Sequence, residues 1–178
     1  TTGIWSAGTP MQSSRTSFAA AAINGEIYVA GGVLFPGFTP DMTAEKFNGS
    51  SWQSIAGVPT GGGSYTRWSY NADGEGGGKL WLMGGRRDAG WAVLNHAGYY
   101  DVAANSWTTS TTIPTLSQGR AYMEGAVAAN GYLYVIGGRD SGATAIYGTN
   151  ERLKVIGDIP WLSETPVSGS IAPATNQV

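Results

Sequence analysis

The chain has 178 residues, with 12 acidic and 10 basic side chains and a formal charge of −2. That length predicts one domain, the near-neutral balance leaves no electrostatic footprint for nucleic acid, and no apolar run approaches the ~18 residues of a membrane span. Glycine, at 28 residues, is at about twice its usual share while charged residues, at 12%, are at about half of theirs, so the chain reads as all-β, built of short strands and tight turns and lacking the three-residue period of collagen.

In chain order, Ile4-Trp5 followed by Pro10 reads as an outer strand with its exit loop. A first strand then runs from Arg15 to Ile23, and Asn24-Gly25 is a strong hairpin signal leading into Glu26 to Ala30. Gly31-Gly32 ends that second strand; Lys46-Phe47 lies on a third and Trp52 on a fourth, with Pro59 seven residues on. The pattern returns with Arg67 to Ala72, a longer turn from Asp73 to Gly78, Lys79 to Met83, Gly84-Gly85, Gly98 to Tyr100, Trp107 and Pro114. It returns again with Arg120 to Ala129, Asn130-Gly131, Tyr132 to Ile136, Gly137-Gly138, Arg152-Leu153 and Trp161. The glycine pairs recur every 53 residues. The second strand of each period is apolar on both faces, which predicts burial between two neighbouring sheets.

Four antiparallel strands repeating at ~50 residues, with paired glycines closing the second, resemble the kelch repeat of β-propellers. The resemblance covers about residues 7 to 162 and implies an incomplete ring of three four-stranded blades. The expected boundaries are 1–6 for an outer strand of a preceding blade, then 7–56, 57–111 and 112–162 for the three blades. Residues 163–178 read as a linker, or as the start of an immunoglobulin-like module, which the stretch Pro166-Val167-Ser168-Gly169-Ser170-Ile171-Ala172-Pro173 resembles. In this reading the glycine pairs allow close approach and positive φ, and the tryptophans fill space between sheets. Propellers need roughly four to eight blades. The chain is therefore expected either to belong to a longer array or to assemble with copies of itself, and the surplus strand at residues 2–6 favours the longer array.

Little in the chain suggests catalysis. Cysteine is absent, which removes disulfides, thiolate metal sites and cysteine nucleophiles. Some kelch propellers are copper radical oxidases that use a cysteine-modified tyrosine, an activity these residues exclude. His96 is the single histidine, so no second histidine completes a metal site, and no cofactor is expected. The stretch from Asn71 to Glu75 lacks the acidic pattern of a calcium loop, and no two acids occupy matching, convergent positions suited to glycoside hydrolysis.

The loops are richer. In a four-stranded blade the second-to-third loops and the connections between blades emerge on one face. The loops carry Phe35, Phe38, Asp41, Arg86, Arg87, Asp88, Trp91, Arg139, Asp140 and Tyr147, and the connections add Tyr65, Arg120 and Tyr122. Arg67 lies beside the same face. The candidate ligand-binding set is Phe35, Phe38, Tyr65, Arg67, Arg86, Asp88, Trp91, Arg120, Arg139 and Asp140, because aromatics beside Arg/Asp pairs make hot-spot surfaces. The arginines opening each first strand have a second reading, as hydrogen-bonding supports between strands. The function expected is a non-catalytic extracellular or cell-surface module that binds a protein or a glycan. Two alternatives stand beside it: an accessory part of a larger secreted enzyme, and an architectural repeat in an extracellular assembly.

Overall fold

The structure is a computed structural model, and it describes residues 3–37, 39–59, 67–68, 78–87, 92–109, 112–127 and 131–155. Among these the regular elements are antiparallel strands, with no helix. No helix among them is therefore long and apolar enough to cross a membrane.

The first repeat holds β1 (Arg15–Thr16), β2 (Ala19–Ile23), β3 (Glu26–Ala30), β4 (Val33–Leu34), β5 (Thr39–Pro40), β6 (Ala44–Phe47) and β7 (Trp52–Ile55). Asn24 and Gly25 turn the chain between β2 and β3 with φ of 52° and 82°, the left-handed pair that a two-residue hairpin needs. The main sheet has the order β2-β3-β6-β7. A smaller sheet, β1-β4-β5, continues the same ribbon beyond Ser17 and the glycine pair. The loop expected between the second and third strands is thus itself largely a hairpin. Glycine is required at the break: Gly32 has φ of 99°, and a Cβ there would stand 2.7 Å from the Thr16 carbonyl oxygen.

The second repeat repeats this plan with β8 (Arg67–Trp68), β9 (Lys79–Met83), β10 (Arg86–Arg87), β11 (Ala92–Val93), β12 (Ala97–Asp101) and β13 (Ser106–Thr108). Its main sheet is β13-β12-β9 and its smaller one β11-β10-β8. The third repeat holds β14 (Glu124–Val127), β15 (Tyr132–Ile136) and β16 (Asn150–Lys154) in one sheet, and the bridges Ala121↔Arg139 and Arg139↔Ile146 stand where the smaller sheet lies in the other two. Each glycine pair follows directly on the end of the second strand, as expected. Four main-sheet strands are described in the first repeat and three in each of the others. Most of the expected strand from Arg67 to Ala72, and Trp161, lie outside the described residues.

The core sits between the main sheets, and the two faces of β9 explain why. Leu80 and Leu82 join Tyr28, Ala30, Ala44 and Tyr100 in one cluster between the first and second sheets. Trp81 and Met83 point the other way and join Met123, Leu133 and Val135 between the second and third. A strand apolar on both faces is therefore buried on both, while among the described residues each end sheet packs on a neighbouring sheet on one side. Residues 3–14, where an outer strand was expected at the start, form no strand; Ile4 and Trp5 are exposed.

Candidate functional site

At the glycine-pair end of the first sheet, Arg15 is buried, and both of its terminal guanidinium nitrogens are engaged. Its guanidinium donates to the Gly31 carbonyl at 3.2 Å, the Thr43 carbonyl at 2.7 Å, the Thr43 hydroxyl at 2.7 Å and Glu45 Oε1 at 2.6 Å. Asp41 Oδ2 lies 3.3 Å away. Burial pushes the Asp41 carboxyl up, but hydrogen bonds from the Ser13 hydroxyl and from Thr43, with the charge of Arg15, hold it below the ordinary carboxylate range. Glu45 also accepts from the backbone N–H groups of Gln12 and Ser13 at 2.7 and 3.1 Å. The side chains thus tie the chain entering the repeat to the third strand.

Arg120 repeats the device. It donates to the Gly137 carbonyl at 3.0 Å, the Thr149 carbonyl at 3.3 Å and Glu151 Oε1 at 2.7 Å, while Glu151 accepts from the Ser117 N–H. In place of Asp41 the third repeat has Tyr147, whose ring lies 5.1 Å from the Arg120 guanidinium carbon. Both Asp41 and Tyr147 donate their backbone N–H to the second glycine of their own pair, so the positions correspond. Arg120 is consequently a support of the sheet rather than an open ligand contact. The matching pair Glu45 and Glu151 escaped the sequence reading, although they lie two repeat periods apart. Each serves its own arginine, and the middle repeat has Gly98 at that place.

A different grouping forms where the second and third repeats meet. Arg86 is buried and donates from Nη1 to the Tyr122 hydroxyl at 2.8 Å. The Arg139 guanidinium carbon lies 4.5 Å from the centre of the same ring, and that of Arg86 lies 5.6 Å from it. Two cations thus share one aromatic ring, an arrangement stabilised by the ring's negative faces. The outer part of Tyr122 is exposed. The repeat register marks these residues. Val33, Arg86 and Arg139 are equivalent, as are Ser17, Ser69 and Tyr122. Ser17 and Tyr122 share a left-handed backbone, with φ of 53° and 56°. The fold therefore requires the bend there but not the ring, which serine lacks in the first repeat.

Of the other expected site residues, Asp140 accepts from the Thr144 N–H at 2.8 Å and from the Thr144 hydroxyl. That hydroxyl, then the Ala145 N–H, hold its carboxyl below the usual range. Both of its oxygens accept hydrogen bonds within a turn beside Arg139. Phe35 is exposed in the turn between β4 and β5. Arg67 lies on β8, its backbone opposite Arg87. Phe38, Tyr65, Asp88 and Trp91 lie outside the described residues. His96 occupies the place of Thr43 and Thr149, its carbonyl accepting the Gly84 N–H as theirs accept Gly31 and Gly137. Among the described residues, no cluster of acids and histidine could hold a metal ion. Set against protein-family models and against curated proteins, the chain matches none.

Proposed function

We propose that the chain is a section of a kelch-type β-propeller and works as a non-catalytic binding module of an extracellular or cell-surface protein, with a protein or glycan ligand at the face carrying Arg86, Tyr122 and Arg139. The observation that carries this reading is the meeting of two arginines from successive repeats on one exposed tyrosine ring. Here arginine and tyrosine stand where the first repeat has valine and serine, and they converge on one exposed ring. An exposed tyrosine held by arginines suits a ligand bearing carboxylates, since guanidinium and phenol both donate hydrogen bonds to such groups.

The test uses residues the chain already tolerates at these places. Arg139→Val and Tyr122→Ser copy the first repeat. Binding of polygalacturonate, a carboxylate-bearing glycan, and of poly-glutamate, an acidic peptide, is measured for the parent chain and both variants, with thermal melts to verify folding. The expected result is at least a tenfold loss for one of the probes at unchanged melting temperature. Equal binding by all three proteins, or binding by none, would overturn the reading.

A further inference from the structure

We propose that the second repeat carries a binding site for a small aliphatic carboxylate, which meets Arg67 as Glu45 meets Arg15 and Glu151 meets Arg120. This goes beyond the reading of Arg86, Tyr122 and Arg139 and does not depend on it.

The backbone places the arginine. Arg15 lies opposite Leu34 and Arg67 opposite Arg87, and Leu34 and Arg87 are each the second residue after a glycine pair. In the third repeat Ala121 lies opposite Arg139, the first residue after its pair, which sets Arg120 one step on, at the same place. The three arginines therefore enter their repeats in one register. The guanidinium groups of Arg15 and Arg120 both reach the carbonyl of the first glycine of their pair, the carbonyl of a threonine before the third strand, and a glutamate on that strand.

The backbone also places the position of that glutamate. Glu45 lies opposite Val29 and Glu151 opposite Val135, and Gly98 lies opposite Leu82 in the same register, two residues before the glycine pair. The carbonyl acceptors are kept, since His96 accepts the Gly84 N–H as Thr43 and Thr149 accept those of Gly31 and Gly137. The acids are not kept. Glycine stands where the other repeats have glutamate, and Leu94 stands where the first repeat has Asp41.

The ligand class follows from what the glycine removes. An arginine stays charged in a protein, and a guanidinium drawn out of water needs a counter-charge close by. The planar fork of a guanidinium is matched by the two oxygens of a carboxylate. Beyond its Cα, a glutamate side chain is two carbons and a carboxylate, the same group of atoms as propionate. A small aliphatic carboxylate thus restores to the second repeat the charge and the shape that the first and third carry in their own chain. The sequence can also be made to supply them. Gly98 is not among the glycines with positive φ, and a Cβ there would meet the Thr108 carbonyl oxygen at 3.0 Å, so glutamate fits after a shift of a few tenths of an ångström.

The experiment adds back what glycine removes. The full chain, Gly98→Glu and Arg67→Met are melted in rising sodium propionate and in sodium chloride of equal ionic strength, with circular dichroism before each melt to verify folding. A ligand that binds only the folded chain raises Tm with its concentration, here by about 2–4 °C at about five times its Kd. The expected results are a saturable rise with propionate for the unaltered chain, and its loss in Gly98→Glu, whose own carboxylate takes the place, and in Arg67→Met. Either variant decides alone if the other does not fold. No rise beyond that in chloride for the unaltered chain, or a rise that persists undiminished in a folded variant, would overturn the proposal.

Discussion

The first and third repeats anchor their loop ends with the same arginine and glutamate but surround them differently. Around Arg15 both partners are closed off from water, the side chains of Arg15 and Glu45 being 0% and 2% exposed, and Asp41 adds a second carboxylate. Around Arg120 the glutamate is 24% exposed, and the aromatic ring of Tyr147 replaces the second carboxylate. The comparison teaches that the repeat conserves a geometry, arginine to the glycine-pair carbonyl and on to the third strand, and not a fixed charge count. Depth of burial then decides how much each version matters. A buried ion pair is costly to break because the survivor is left charged and unsolvated, while a partly exposed one is screened.

The largest effect tests that directly. Glu45→Ala leaves Asp41 as the one carboxylate beside Arg15 among the described residues and removes the acceptor of two backbone N–H groups, so urea unfolding should show a loss of about 3–5 kcal/mol. A loss below about 1 kcal/mol would break the comparison at its strong end. Asp41→Asn comes next, at about 2 kcal/mol near neutral pH, in line with the charged hydrogen bonds it weakens. Its cost depends on pH in a defined direction. The folded carboxyl titrates below the ordinary value of 3.8, so its stabilisation is present above that range and lost as pH falls through the folded pKa. Unfolding curves of parent and variant should therefore converge as the pH falls below 3.8 and through the lowered folded pKa; a gap that persists at the acid end would assign the effect to packing.

Further down the scale, Glu151→Ala should cost about 1 kcal/mol, because water already reaches this carboxylate. A cost equal to that of Glu45→Ala would show that exposure does not separate the two repeats. The smallest effect is Tyr147→Leu, which keeps apolar bulk but removes the ring face from Arg120. The expected loss is about 0.5–1 kcal/mol, measured by the same unfolding.

The fold was largely legible because its signals are local and repeated. Asn24-Gly25 announces a hairpin through backbone sterics alone, and Lys79 to Met83 announces a doubly buried strand through apolar residues on both faces. The candidate site was less legible. Arg86 and Arg139 were named from their loops, yet the sequence reading counted Tyr122 only among residues near that face, and the ring proved to be what unites them. Arg120 carried two readings, ligand contact and hydrogen-bonding support, and its burial and partners are those of a support. An arginine's role depends on what its five N–H donors meet, and those acceptors lie up to 31 residues away along the chain.

What the sequence determined by itself was the period, the all-β class and the places where glycine must break the strands, since each follows from residue spacing and from the φ that a side chain forbids. Only the tertiary structure decided that the second-to-third loop of the first repeat is a hairpin, that Glu45 and Glu151 serve buried arginines, and that Ile27 and Ile136 are exposed where Leu80 and Met83 are buried. Those facts depend on which strand lies beside which. Pairing between distant strands is set by the burial of whole faces, a sum over many residues that no single stretch of chain contains.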